Sequence, residues 1–202
     1  MKKLIYIITI LLLWSCGEKN EQPKMNSEAQ LYFDSAMMLT ATEGIGSYDK
    51  AIQLLDKATD LDTNFTMAYW EKLTLLGDLK RYDKALITAQ HLIRANSSNP
   101  DIYVRAGMMC YRLGDSISAN KYYNTGLELY NKYFDTLSTK SENYDMLLMN
   151  KGITLVLLGK DKEGNEALKN IYNRQTDSTN KKALLGFMNK SKDEILDTYQ
   201  PR

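Results

Sequence analysis

The chain predicts an all-α solenoid of about four stacked helix pairs. A five-residue phrase is written twice: YDKAI at residues 48–52 and YDKAL at 82–86, in phase at 34 residues. Small residues continue the phase, with Ala119 one period beyond Ala85, and Gly152 and Gly186 again 34 apart. A fixed period of this length marks a repeat array. Leu, Ala, Lys, Met and Tyr are plentiful, alternating β-branched runs are scarce, and 202 residues hold only 3 prolines and 11 glycines. That composition favours helix over strand and argues against long linkers.

Residues 1–15 read as a signal segment. Lys2 and Lys3 precede an apolar run from Leu4 to Trp14, too short to span a bilayer, which takes about 20 helical residues. The run ends in Leu13-Trp14-Ser15-Cys16, which resembles the lipobox of bacterial lipoproteins, although Trp14 is bulkier than the usual pattern. The resemblance implies cleavage before Cys16 and lipidation, including palmitate-type acylation, of that residue. Several acyl chains on one residue hold a protein to a membrane. Gly17 lacks the acidic character that favours inner-membrane retention, which leaves the outer membrane as the expected address. Residues 16–27 are polar, carry Pro23, and read as a flexible tether.

Helices are expected at 27–42, 48–61, 66–78, 82–96, 100–113, 116–134, 143–158, 161–174 and 180–197. Asn99 before Pro100 and Asp101 suits a helix start, and Ser47 before Tyr48 suggests another. The period of 34 resembles the tetratricopeptide repeat (TPR) family over residues 28–197. The resemblance implies a right-handed solenoid in which each unit is a helix A followed by a helix B.

The family pattern places a small residue at position 8, Gly at 15, an aromatic at 17 and Ala at 20. Unit one offers Ala36, Tyr48 and Ala51, with about three residues inserted near Gly44 and Gly46. Unit two offers Tyr82 and Ala85, but Leu73 stands at position 8. Unit three offers Gly107, Gly114 and Ala119, with Ser116 replacing the aromatic. Unit four offers Gly152, Gly159 and Gly164 after an excess of 11 residues, assigned to a long helix B and the turn at 134–143. The segment from 180 to 197 is expected to cap the last unit, as terminal repeats require.

Family geometry implies that the A helices line a concave groove. Carried over by position, that groove takes Phe33, Met37, Met67, Trp70, Thr74, Asp101, Val104, Met108, Tyr111, Arg112, Met146, Met149 and Ile153. Met and aromatic groups suit an irregular apolar partner such as a peptide segment or a helix. The same residues at helical spacing also suit plain core packing, above all Met146, Met149 and Ile153 beneath the cap. The cations of the family's carboxylate-clamp sub-class are missing at position 5.

Other chemistry is thinly represented. His91 is the only histidine, and Cys110 is the only thiol besides Cys16, so a triad, a zinc site or an intrachain disulfide is not expected. No phosphate-cradling glycine motif occurs. The net charge is +1, and removal of Lys2 and Lys3 leaves 24 basic against 25 acidic residues, so nothing draws the chain to nucleic acid. Asp-Ser and Asp-Thr triplets at Ser35, Ser116, Thr136 and Ser178 resemble an O-glycosylation sequon of some Gram-negative envelopes, and Ser116 and Thr136 fall in expected turns. The expectation is a lipid-anchored, non-enzymatic scaffold in a Gram-negative envelope, without cofactor or metal. It binds a protein partner in its groove, or serves as an accessory subunit through its outer helical face.

Overall fold

The computed structural model describes residues 26–199. The signal segment, Cys16 and most of the tether lie outside the described residues. Ten α-helices follow in order: α1 Ser27–Glu43, α2 Tyr48–Leu61, α3 Thr66–Asp78, α4 Tyr82–Ala95, α5 Pro100–Arg112, α6 Ser116–Phe134, α7 Tyr144–Leu157, α8 Asp161–Arg174, α9 Ser178–Leu185 and α10 Lys192–Tyr199. A short 3-10 turn, Gly44–Ser47, joins α1 to α2. No strand occurs among the described residues.

The helices pack as pairs, α1 with α2, α3 with α4, α5 with α6 and α7 with α8, and each pair leans on the next. The period of 34 is therefore one helix pair. Ala36, Ala51, Ala85 and Ala119 are fully buried, so small side chains let neighbouring helices approach. Tyr48 and Tyr82 pack half-buried against that core, whereas Ser116 is exposed where an aromatic would plug the gap. Ala85 and its neighbours are packing devices; the charged part of the phrase serves a different purpose. Asp49 pairs with Arg81, so the end of one A–B turn is tied to the B helix of the preceding pair. That guanidinium holds the Asp49 carboxyl below the usual carboxylate range.

The insertions sit where the register places them. α1 runs 17 residues against 13 for α3, and the 3-10 turn completes the enlarged connection. α6 runs 19 residues against 14 for α4, and residues 135–143 form the long turn to α7. Asn99 caps α5, its Oδ1 accepting from the Asp101 N–H at 2.9 Å. Ser47 does not cap α2. Its buried hydroxyl donates backward to the carbonyls of Leu39 (3.1 Å) and Gly44 (2.8 Å), because the 3-10 turn leaves those acceptors facing it.

Each A–B turn after the first pair is closed by a left-handed residue. Gly114 has φ +84° and Gly159 has φ +78°, but the equivalent place in the second pair holds Lys80 at φ +58°. The N–H of Arg81 still returns to the Leu76 carbonyl at 2.9 Å, so the stop is the same and only the residue is unsuited. A side chain in this conformation costs about 1–2 kcal/mol, part of which glycine gives back as unfolded-chain entropy. Lys80→Gly is therefore expected to raise stability by about 0.5–1 kcal/mol. Urea unfolding measures it, and a loss of stability would show that Lys80 is not strained.

The expected single capping helix is two helices. α9 ends at Leu185, the chain turns through Gly186–Ser191 with Asn189 at φ +58°, and α10 starts at Lys192. Asn tolerates that conformation better than most residues, which is why the break falls there. The turn sends α10 back along the array, where its Ile195 and Leu196 become fully buried.

Candidate interaction groove

The A helices α3, α5 and α7 open a hollow of about 330 Å³, lined by Trp70, Val104, Met108, Met146, Met149 and Ile153 among others. α10 closes one side of it with Tyr199. The wall is mostly apolar, and one polar cluster is set into it. Asp101 accepts from the Tyr130 hydroxyl and, at 3.0 Å, from the Asn150 amide. Tyr130 is fully buried, and burial together with the Asp101 charge pushes its hydroxyl far above the ordinary tyrosine range. The cluster thus joins α5, α6 and α7 with the phenol kept protonated.

Arg105 supplies the positive charge. Its guanidinium lies 5.5 Å from the centre of the Tyr199 ring. Asp78, pushed up by burial, is held partly in check by the same Arg105. Burial raises the Tyr199 hydroxyl as well, with Arg105 opposing.

The structure sorts the expected groove residues into four groups. Trp70, Thr74 and Met37 are half-buried; Trp70 lines the hollow, while the Thr74 hydroxyl turns inward to the Trp70 carbonyl at 3.1 Å. Phe33, Val104, Met108 and Ile153 are buried, which leaves them little surface to offer. Phe33 belongs to the core, its ring 5.1 Å from that of Phe65, the residue just before α3. Met67 and Met146 are exposed, at 59% and 51%. Tyr111 and Arg112 are engaged by α10: the Tyr111 hydroxyl donates to Asp193 at 3.1 Å and Arg112 pairs with Asp197 at 2.6 Å.

Gly107 faces the Tyr123 ring, and Gly152 faces Gly164, Ala167 and Leu168 of α8. Tyr123 and Tyr130 are the large buried side chains that position counting did not single out for the site. The signal for them was present in α6, where Tyr123, Leu127 and Tyr130 mark one face at helical spacing.

Outside the groove, Thr136 is exposed on the turn after α6, whereas Ser116, expected in a turn, is exposed as the first residue of α6 itself. His91 stacks on Tyr69 with ring centres 4.0 Å apart. Cys110 is buried, and burial raises its thiol above the usual range. Among the described residues no group of side chains is arranged to hold a metal ion, and no helix is long and apolar enough to cross a membrane.

No protein-family model matches the chain, and no curated protein does. Among solved structures, PilW, described as a widely conserved type IV pilus biogenesis factor, aligns with a TM-score of 0.54 at 18% identity, over 86% of this chain and 75% of that one. The fold is a tetratricopeptide-type solenoid. MamA aligns with a TM-score of 0.49 at 14% identity, over 85% of this chain and 87% of its own. YrrB, described as a TPR protein with an unusual peptide-binding site, aligns with 0.48 at 19% identity, over 90% of each chain. In this solenoid the hollow is the A-helix groove, and α10 is what distinguishes it from a bare array of helix pairs.

Proposed function

We propose that this chain is a protein-interaction scaffold that holds a partner's peptide segment or helix in the A-helix groove. The observation that carries the reading is the hollow beside Trp70. A large indole stands half-buried at its wall, which it shares with the flexible Met146 and Met149 and the polar cluster of Asp101, Tyr130 and Asn150. Aromatic anchors in such settings dominate binding energy, and Met surfaces adapt to irregular apolar partners. The same scaffold is tethered to a Gram-negative envelope membrane, the outer membrane by preference, through a lipid on Cys16. That part rests on the N-terminal sequence alone. No catalytic step is assigned.

The test is crosslinking of the native protein in its envelope, with partners identified by mass spectrometry. Trp70→Ala is expected to lower recovery of the specific partner by roughly 30-fold, the equivalent of about 2 kcal/mol for a central anchor, while circular dichroism stays helical. Unchanged recovery would move the interaction to the outer helical face. Intact-mass measurement of the same sample reports the lipid, and any sugar on Ser116 or Thr136.

A further inference from the structure

α10 lies in the groove that the proposed function assigns to a partner, and it lies there as a ligand would. It is eight residues long and presents one adjacent aliphatic pair, Ile195 and Leu196, both fully buried. Asp193 and Asp197, one helical turn apart, bracket the pair and meet Tyr111 and Arg112 at 3.1 and 2.6 Å. Its last residue, Tyr199, reaches Arg105 and the rim of the hollow. These side-chain contacts fall on α5, in the third pair, while the helix itself packs on α7, so α10 reaches further into the array than a cap on the last pair requires. We propose that α10 is a resident stand-in, and that the groove's ligand is an amphipathic helix with an aliphatic pair bracketed by carboxylates one turn apart, which displaces it.

Three features make the stand-in replaceable. An eight-residue helix is too short to persist without its seat. It is connected through a turn whose hinge residue, Asn189, sits at φ +58°. Its fit is also imperfect. The Lys192 ammonium is drawn over the rings of Tyr111 (4.2 Å) and Tyr123 (5.1 Å), where burial depresses its basicity. Beneath it the Tyr123 hydroxyl is buried with no hydrogen-bond partner among the described residues. A ligand helix with an acceptor at that place would satisfy the hydroxyl and return Lys192 to water. The charge balance agrees, since Arg112 on the groove side faces Asp197 on the occupant side and Arg105 lies over the occupant's Tyr199 ring.

The proposal rests on the groove reading, and its test separates the two. The full chain is prepared as wild type and as the double variant Ile195→Ser, Leu196→Ser, which unseats α10. The probe is a fluorescein-labelled peptide of residues 190–199, added in trans and followed by anisotropy. The released variant is expected to bind it at least tenfold more tightly than wild type. The peptide with Asp193→Lys and Asp197→Lys is expected to bind at least tenfold more weakly, and Arg112→Gln in the released variant should cost a similar factor. Equal binding by wild type and released protein, or no saturable binding by a released variant that keeps its helicity, overturns the proposal. Should the released variant unfold, hydrogen exchange on wild type decides. α10 amides exchanging at least tenfold faster than those of α5 and α7 support displacement, and equal protection overturns it. A partner capture that Trp70→Ala abolishes but α10 release leaves unchanged would keep the groove reading and remove this one.

Discussion

Tyr123→Ala is expected to lower the unfolding free energy by about 3–5 kcal/mol, the cost of emptying a large aromatic site in a packed interior. Tyr123 is fully buried on α6. Its ring fills the space that a side chain on Gly107 would need: a Cβ there would stand 2.6 Å from two ring carbons. Gly107→Ala alone is therefore expected to cost about 1–3 kcal/mol by overpacking. The two changes compete for one volume, so the double variant should lose less than the sum of the singles. The hydroxyl without a partner works in the other direction, since its removal recovers part of the loss. Urea unfolding of the four proteins closes the cycle. Additive costs would mean that Gly107 and Tyr123 do not share space.

Gly164→Ala is expected to be the more damaging of the glycine changes, at the upper part of the range of about 1–3 kcal/mol for overpacked cores. A Cβ on Gly164 would meet the Gly152 carbonyl oxygen and a Val156 methyl, each at 2.6 Å, and the Val156 nitrogen at 3.1 Å. Two of these are backbone atoms, which cannot give way by a side-chain rotation. The clash forces α7 and α8 apart along their crossing. In a linear array the damage stays near its source. Hydrogen exchange should show α7 and α8 losing protection while α3 and α4 keep theirs. Loss spread evenly over all pairs would contradict both the crossing and the linear coupling.

Much of this was legible in the residues. The repeated phrase and the glycines fixed the phase of eight helices, because small residues at crossings are local requirements of a helix pair. The excess before Gly152 announced the long α6 in the same way. Two features were hidden for a physical reason. Lys80 occupies a left-handed stop without being glycine, so only the backbone reveals it. Arg112 and Asp197 are 85 residues apart, and nothing local in either segment marks the pairing. The residues 186–191 read as helix because Gly186 fell in register, whereas Asn189 supplies the reversal. Phe33 falls in the groove by position, but its ring turns to Phe65 just before α3, a contact between segments 32 residues apart that no local pattern marks.

The cluster of Asp101, Tyr130 and Asn150 stands where the long turn at 135–143 interrupts the regular spacing between pairs. Regular pairs set their relative rotation by repeated side-chain interdigitation, which tolerates small slips. One carboxylate accepting from two directed donors on separate helices tolerates far less. The node therefore acts as the array's pitch gauge: it fixes the angle at which the final pair leaves the first three, and with it the width of the channel that any guest must fit.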